Sequence, residues 1–76
     1  MSENSVPVEC PLPGQVIQVN VKEGDRIQAG QPVVTLMSMK TEFKVESPED
    51  GVVGEIKVKD GMEVSVGDIL LYIKKS

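Results

Sequence analysis

The segment Val16-Ile17-Gln18-Val19-Asn20-Val21-Lys22-Glu23-Gly24-Asp25 returns 37 positions later as Val53-Gly54-Glu55-Ile56-Lys57-Val58-Lys59-Asp60-Gly61-Met62. The match extends in both directions. Val8-Glu9-Cys10-Pro11 falls on Val45-Glu46-Ser47-Pro48, Gly14 on Gly51, Ile27 on Val64, Gly30 on Gly67 and Leu36 on Ile73. Nine of the 29 pairs between residues 8–36 and 45–73 are identical, and six more set one aliphatic residue against another (19/56, 27/64, 29/66, 33/70, 34/71 and 36/73), so the chain is two copies of one unit. Each copy is rich in Val, Ile and Leu with polar residues interspersed, the composition of half-buried strands. Glycines at Gly24, Gly30, Gly61 and Gly67 mark tight turns, where positive φ is needed. No stretch carries a 3.6-residue apolar period long enough for a helix.

Short strands with closely spaced turns predict an all-β fold. Two equivalent units in one small domain imply a pseudo-twofold axis, with each copy expected to supply one four-stranded sheet of a flattened barrel or sandwich. Neither copy could bury its apolar face alone. The expected core is Val16, Val19, Val21, Ile27, Val33, Leu36, Val45, Val53, Ile56, Val58, Val64, Leu70 and Ile73. Residues 1–5 read as a flexible N-terminal segment and 6–75 as one domain. At 76 residues the chain has room for one core and no more.

The composition excludes several functions. There is no histidine and a single cysteine, so a Cys/His metal cluster cannot form and the commonest general base is missing. The scattered glycines make no phosphate-binding loop. A net charge of −4 argues against nucleic acid and suits a monomer. Cys10 cannot pair within the chain, and a buried or half-buried inert thiol is the expectation. No apolar run reaches membrane-spanning length, and Met1 to Glu9 has no apolar signal region, so the expectation is a cytoplasmic protein without membrane insertion.

Between the copies lies Met37-Ser38-Met39-Lys40-Thr41-Glu42-Phe43-Lys44. Strand-like residues flank it, with Thr41, Phe43 and Val45 alternating onto an expected buried face. Met39-Lys40 is therefore expected at a hairpin tip, with Lys40 in water. A lysine at an exposed turn is ordinary. Methionines at Met37 and Met39, both expected to face solvent, have no packing reason there and would supply a soft contact surface.

Pro11-Leu12-Pro13-Gly14, Val21-Lys22-Glu23-Gly24-Asp25, Ser38-Met39-Lys40-Thr41-Glu42, Ser47-Pro48-Glu49-Asp50-Gly51 and Gly67-Asp68-Ile69-Leu70 resemble the biotinyl domains of biotin-dependent carboxylases, decarboxylases and transcarboxylases. The resemblance covers residues 6–75 and is most specific at Met39-Lys40. It implies a non-catalytic biotin carboxyl carrier with a barrel-sandwich fold and biotin joined covalently to Lys40, flanked by Ser38, Met39 and Thr41. It also implies a biotin protein ligase that attaches the cofactor, a biotin carboxylase that loads it, and a carboxyltransferase or decarboxylase that unloads the carboxybiotin. The family usually carries Ala-Met-Lys-Met, so Ser38 and Thr41 are departures. A lipoyl carrier shares the fold but usually has Asp-Lys-Ala, which Met39 and Thr41 do not fit. An unmodified protein-binding module is a further alternative, and an enzyme is disfavoured by the missing catalytic groups.

Overall fold

A computed structural model describes residues 5–75, which form eight strands and no helix. The strands are β1 (Ser5–Glu9), β2 (Gly14–Val19), β3 (Arg26–Ile27), β4 (Pro32–Ser38), β5 (Thr41–Glu46), β6 (Gly51–Ile56), β7 (Glu63–Val64) and β8 (Ile69–Lys75). They make two four-stranded antiparallel sheets, ordered β1-β8-β6-β3 and β5-β4-β2-β7. A shift of 37 residues carries each sheet onto the other strand for strand, which is the pseudo-twofold relation the repeat predicts. Residues 1–4 of the expected flexible segment lie outside the described residues, and Ser5 already pairs with Lys74.

The expected division of one sheet per copy is corrected. Each sheet takes two strands from each copy. The reason lies in the links. Pro11 and Pro13 follow β1, and Pro48 follows β5. A residue before proline is pushed away from the α region, which disfavours a tight hairpin there. The chain instead crosses to the opposite sheet. The Gly24 and Gly61 turns also cross between sheets rather than closing hairpins. In each, a backbone bond closes the turn, Asp25 N to Lys22 O at 3.0 Å and Met62 N to Lys59 O at 3.1 Å. Glycine at the third position has φ of 94° and 91° respectively, the requirement of a type II turn.

These turns lock the copies together. Gly24 N donates to Val53 O and Val53 N to Asp25 O, both at 2.8 Å. Gly61 N donates to Val16 O and Val16 N to Met62 O, both at 2.7 Å. Glu23 Oε2 accepts from Ile56 N at 3.1 Å, and its repeat mate Asp60 Oδ1 accepts from Val19 N at 3.0 Å. Neither copy can keep this set of bonds without the other.

Eleven of the 13 expected core residues are buried, while Val19 and Ile56 are half-buried against the core. Strict alternation missed Val8, Val34 and Leu71, all buried. Val34 and Leu71 escaped because the ladder is bulged. Pro32 pairs with Glu46 but Val34 with Val45, so Val33 is an extra residue on β4; Leu70 is its counterpart on β8. A bulge interrupts the period of two, and Val33-Val34 and Leu70-Leu71 are all fully buried. Cys10 is buried, and its Sγ donates to Leu12 O at 2.8 Å; the repeat-related Ser47 Oγ donates to Glu49 O at 2.6 Å.

On β5 only Val45 is buried, which corrects the expected inward face. Phe43 is 40% exposed. The edge strands β1 and β5 do not pair, and Phe43 lines the open groove between them with Pro7, Pro11 and Pro48.

Candidate functional site

Strand β4 pairs with β5 from Val34–Val45 to Ser38–Thr41 without interruption, so only Met39 and Lys40 remain to turn the chain. A two-residue hairpin loop follows the strand twist when both residues have positive φ, the type I′ pattern, which favours Asn and Gly. Here neither position has such a residue, yet Met39 and Lys40 have φ of 50° and 66°. They are the only non-glycine residues with positive φ among the described residues. Each costs roughly 1 kcal/mol or more and is held by the surrounding structure. That holding comes from the ladder below the turn.

A second support comes from β2. Gln15 pairs with Met37. A Cβ on Gly14 would stand 2.5 Å from Met37 O and 3.4 Å from Ser38 Cβ. The absent side chain thus lets β2 press against the base of the hairpin. Met37 is half-buried as a result, where the sequence placed it in solvent. Met39 is 94% exposed and Lys40 is exposed, as expected of a tip; Ser38 is half-buried and Thr41 exposed. Lys40 belongs to neither ion pair among the described residues, which are Lys57–Glu55 and Lys75–Glu49.

The hairpin brings Ser38, Met39, Lys40 and Thr41 together as the sequence predicts. It also borders an open groove of about 660 Å³ that sequence reading missed, lined by Pro13, Gly14, Gln15, Glu63, Val64 and Ser65 together with Met37, Ser38 and Met39 of the hairpin. The pairing of β2 with β7 brings these residues to the hairpin, and Gln15 Nε2 donates to Gly61 O at 3.1 Å. The signal was present as asymmetry between the copies: Gln15 and Glu63 stand where the other copy has Val52 and Arg26. Among the described residues no group of three or more His, Cys, Asp and Glu is placed to hold a metal ion.

Chemically, the tip offers one primary amine, raised on a strained and well-braced turn. Such a site can receive an acyl group and carry it, so fold and site together define a carrier domain. The chain belongs to the biotin/lipoyl attachment family, whose model, described as "Biotin-requiring enzyme", matches residues 6–73. It is 41% identical over 69 residues to the biotin/lipoyl attachment protein of Bacillus subtilis, covering 91% of this chain and 94% of that one. It is 39% identical over 67 residues to the biotin carboxyl carrier protein of acetyl-CoA carboxylase from Solanum lycopersicum, covering 88% and 96%. A dihydrolipoyllysine-residue acetyltransferase component of the pyruvate dehydrogenase complex from Cupriavidus necator is 51% identical over 59 residues, covering 78% of this chain and 11% of that one. Among solved structures, a single-chain, multi-domain long-chain acyl-CoA carboxylase superposes with a TM-score of 0.93 at 26% identity, over the whole of this chain and 8% of that one. The chain spans 6% of the length of the pyruvate carboxylases it matches.

Proposed function

We propose that the chain is a biotin carboxyl carrier in which Lys40 is the attachment point. One observation supports this above others: Met39-Lys40 forms the strained two-residue tip between the repeats, with its amine in water. The chemistry of attachment fits the donor set. Lys40 Nζ attacks the acyl carbon of biotinyl-adenylate on a biotin protein ligase. The bond to the phosphate oxygen breaks, AMP leaves with the electron pair, and the amine proton passes to solvent. The bound cofactor supplies a ring nitrogen able to hold a carboxyl group. The chain's part is to hold that cofactor at high effective concentration before two successive partners, a biotin carboxylase and a carboxyltransferase or decarboxylase. The carrier catalyses neither step and works as a cytoplasmic monomer, a role that needs no groups beyond the tip.

The lipoyl reading is supported by the 51% identity to the acetyltransferase component. It is opposed by the tip, where Met39 and Thr41 replace the acid and the small residue usual beside a lipoyl lysine. The test presents unmodified protein in parallel to a biotin ligase and a lipoate ligase, each with its acyl donor. Biotinylation at a rate near that of a known carrier domain, with slow or no lipoylation, is expected. The reverse order would overturn the proposal.

A further inference from the structure

The groove beside the hairpin exists twice. The pseudo-twofold axis carries it onto a second groove of about 400 Å³, which includes Arg26, Ile27, Gln28, Asp50 and Val52. The two share a backbone frame and differ in side chains. At the second groove Arg26 stands where the first has Glu63, Val52 where it has Gln15, and Gln28 where it has Ser65. There Asp50 Oδ1 accepts from Ala29 N at 2.7 Å, so the local acid is engaged in holding the turn. At the hairpin Pro13 takes the place of Asp50, and the acid is Glu63, exposed on β7. The fold thus supplies its own control: one frame, with a different set of polar groups at the end that carries Lys40.

We infer that the hairpin-side groove is a resting site for the ring of a biotin joined to Lys40, and that it selects the ring without its carboxyl cargo; this rests on the biotin reading above. The groove begins at Met39, one residue from the attachment point. Biotin's ring system presents two ureido N–H donors, one carbonyl acceptor and an apolar, sulfur-containing ring. The groove answers each. The Glu63 carboxylate is acceptor-only, with two oxygens for two N–H groups. Ser65 carries a hydroxyl donor. Gln15 has one amide N–H committed to Gly61 O, which fixes its orientation and leaves the other N–H to donate. Met37, Met39 and Pro13 supply apolar contact for the thioether ring, and Met adapts to such shapes. A carboxyl group on the ring removes one N–H and brings a negative charge against Glu63. The loaded ring is therefore repelled from the groove and left available to a partner.

The test uses the whole chain, uniformly labelled with ¹³C and ¹⁵N and treated with biotin ligase, ATP and biotin. Intact mass establishes whether one biotinyl group has been added. With the group attached, nuclear Overhauser contacts are expected between the unlabelled ring protons and the Met37 and Met39 methyls. Amide shifts should also change at Gly14, Gln15, Glu63 and Ser65. Shift changes confined to Ser38–Thr41, with no ring contacts, would overturn the resting site while leaving the carrier reading in place. Absence of any added mass beside an efficiently modified control domain would overturn both. Glu63→Arg, which installs the residue of the repeat mate, should keep full biotinylation and lose the ring contacts. Ring contacts that persist in this variant would overturn the role assigned to Glu63.

Discussion

Replacing Gly14 and Gly51 by alanine, one at a time, separates what holds the fold from what holds the hairpin. The positions are repeat mates, and neither has positive φ. An added methyl at Gly14 would lie 2.5 Å from Met37 O, and one at Gly51 would collide with Lys74 O. Both obstacles are backbone, so a strand must shift rather than a flexible side chain. Overpacking of this kind costs about 1–3 kcal/mol. For a domain of this size 1 kcal/mol corresponds to about 4–8 °C in Tm, so each variant should melt roughly 5–20 °C below the parent by circular dichroism. The consequences for the site should differ. Gly14 abuts β4 where the hairpin begins, whereas Gly51 pairs with Lys75 and Ile27. At a temperature where both variants are fully folded, Gly14→Ala should slow biotinylation several-fold and Gly51→Ala should leave it near the parent rate. Equal rates in both variants, with the expected loss of stability, would refute the idea that β2 braces the hairpin.

Lys40→Arg should abolish biotinylation and move Tm by less than about 2 °C, because an exposed tip contributes little burial; mass spectrometry and a melting curve check both halves. Gly24→Ala and Gly61→Ala meet no neighbour within 4 Å, so their cost is conformational alone, about 1 kcal/mol each from φ near 90°. Denaturant titration should show a lower midpoint with an unchanged slope. Thr41→Met should leave single-turnover biotinylation nearly unchanged but alter carboxyl transfer with the native partner enzymes, since an exposed methionine adds flexible contact area; equal transfer rates would make Thr41 a neutral strand residue.

The repeat made much of the architecture legible. Because the shift of 37 carries one sheet onto the other, aligning Val8–Leu36 with Val45–Ile73 anticipated both the pseudo-twofold and the core positions. It did not disclose strand partners. Alternation says which face of a strand is apolar, not which strand lies beside it, so the exchange of β1 with β5 and of β3 with β7 between sheets was hidden. Val34 and Leu71 were hidden for a local reason, since a bulge breaks the period that reading relies on. Phe43 misled in the opposite sense, because an apolar residue on an edge strand need not face the core. At the tip, Lys40 was legible as the leftover between repeats. The strain at Met39 and Lys40 was not, because neither residue type advertises positive φ. Glu63 and Gln15 become informative only when read against Arg26 and Val52 in the folded frame.

Whether Lys40 carries biotin is decided most directly by the intact mass of the protein from cells supplied with biotin, before and after treatment with a biotin ligase, followed by mapping of the modified peptide. A single biotinyl group on Lys40, at full occupancy after treatment, is the expected result. A group on Lys44, a lipoyl group in its place, or no addition beside an efficiently modified control domain would contradict it.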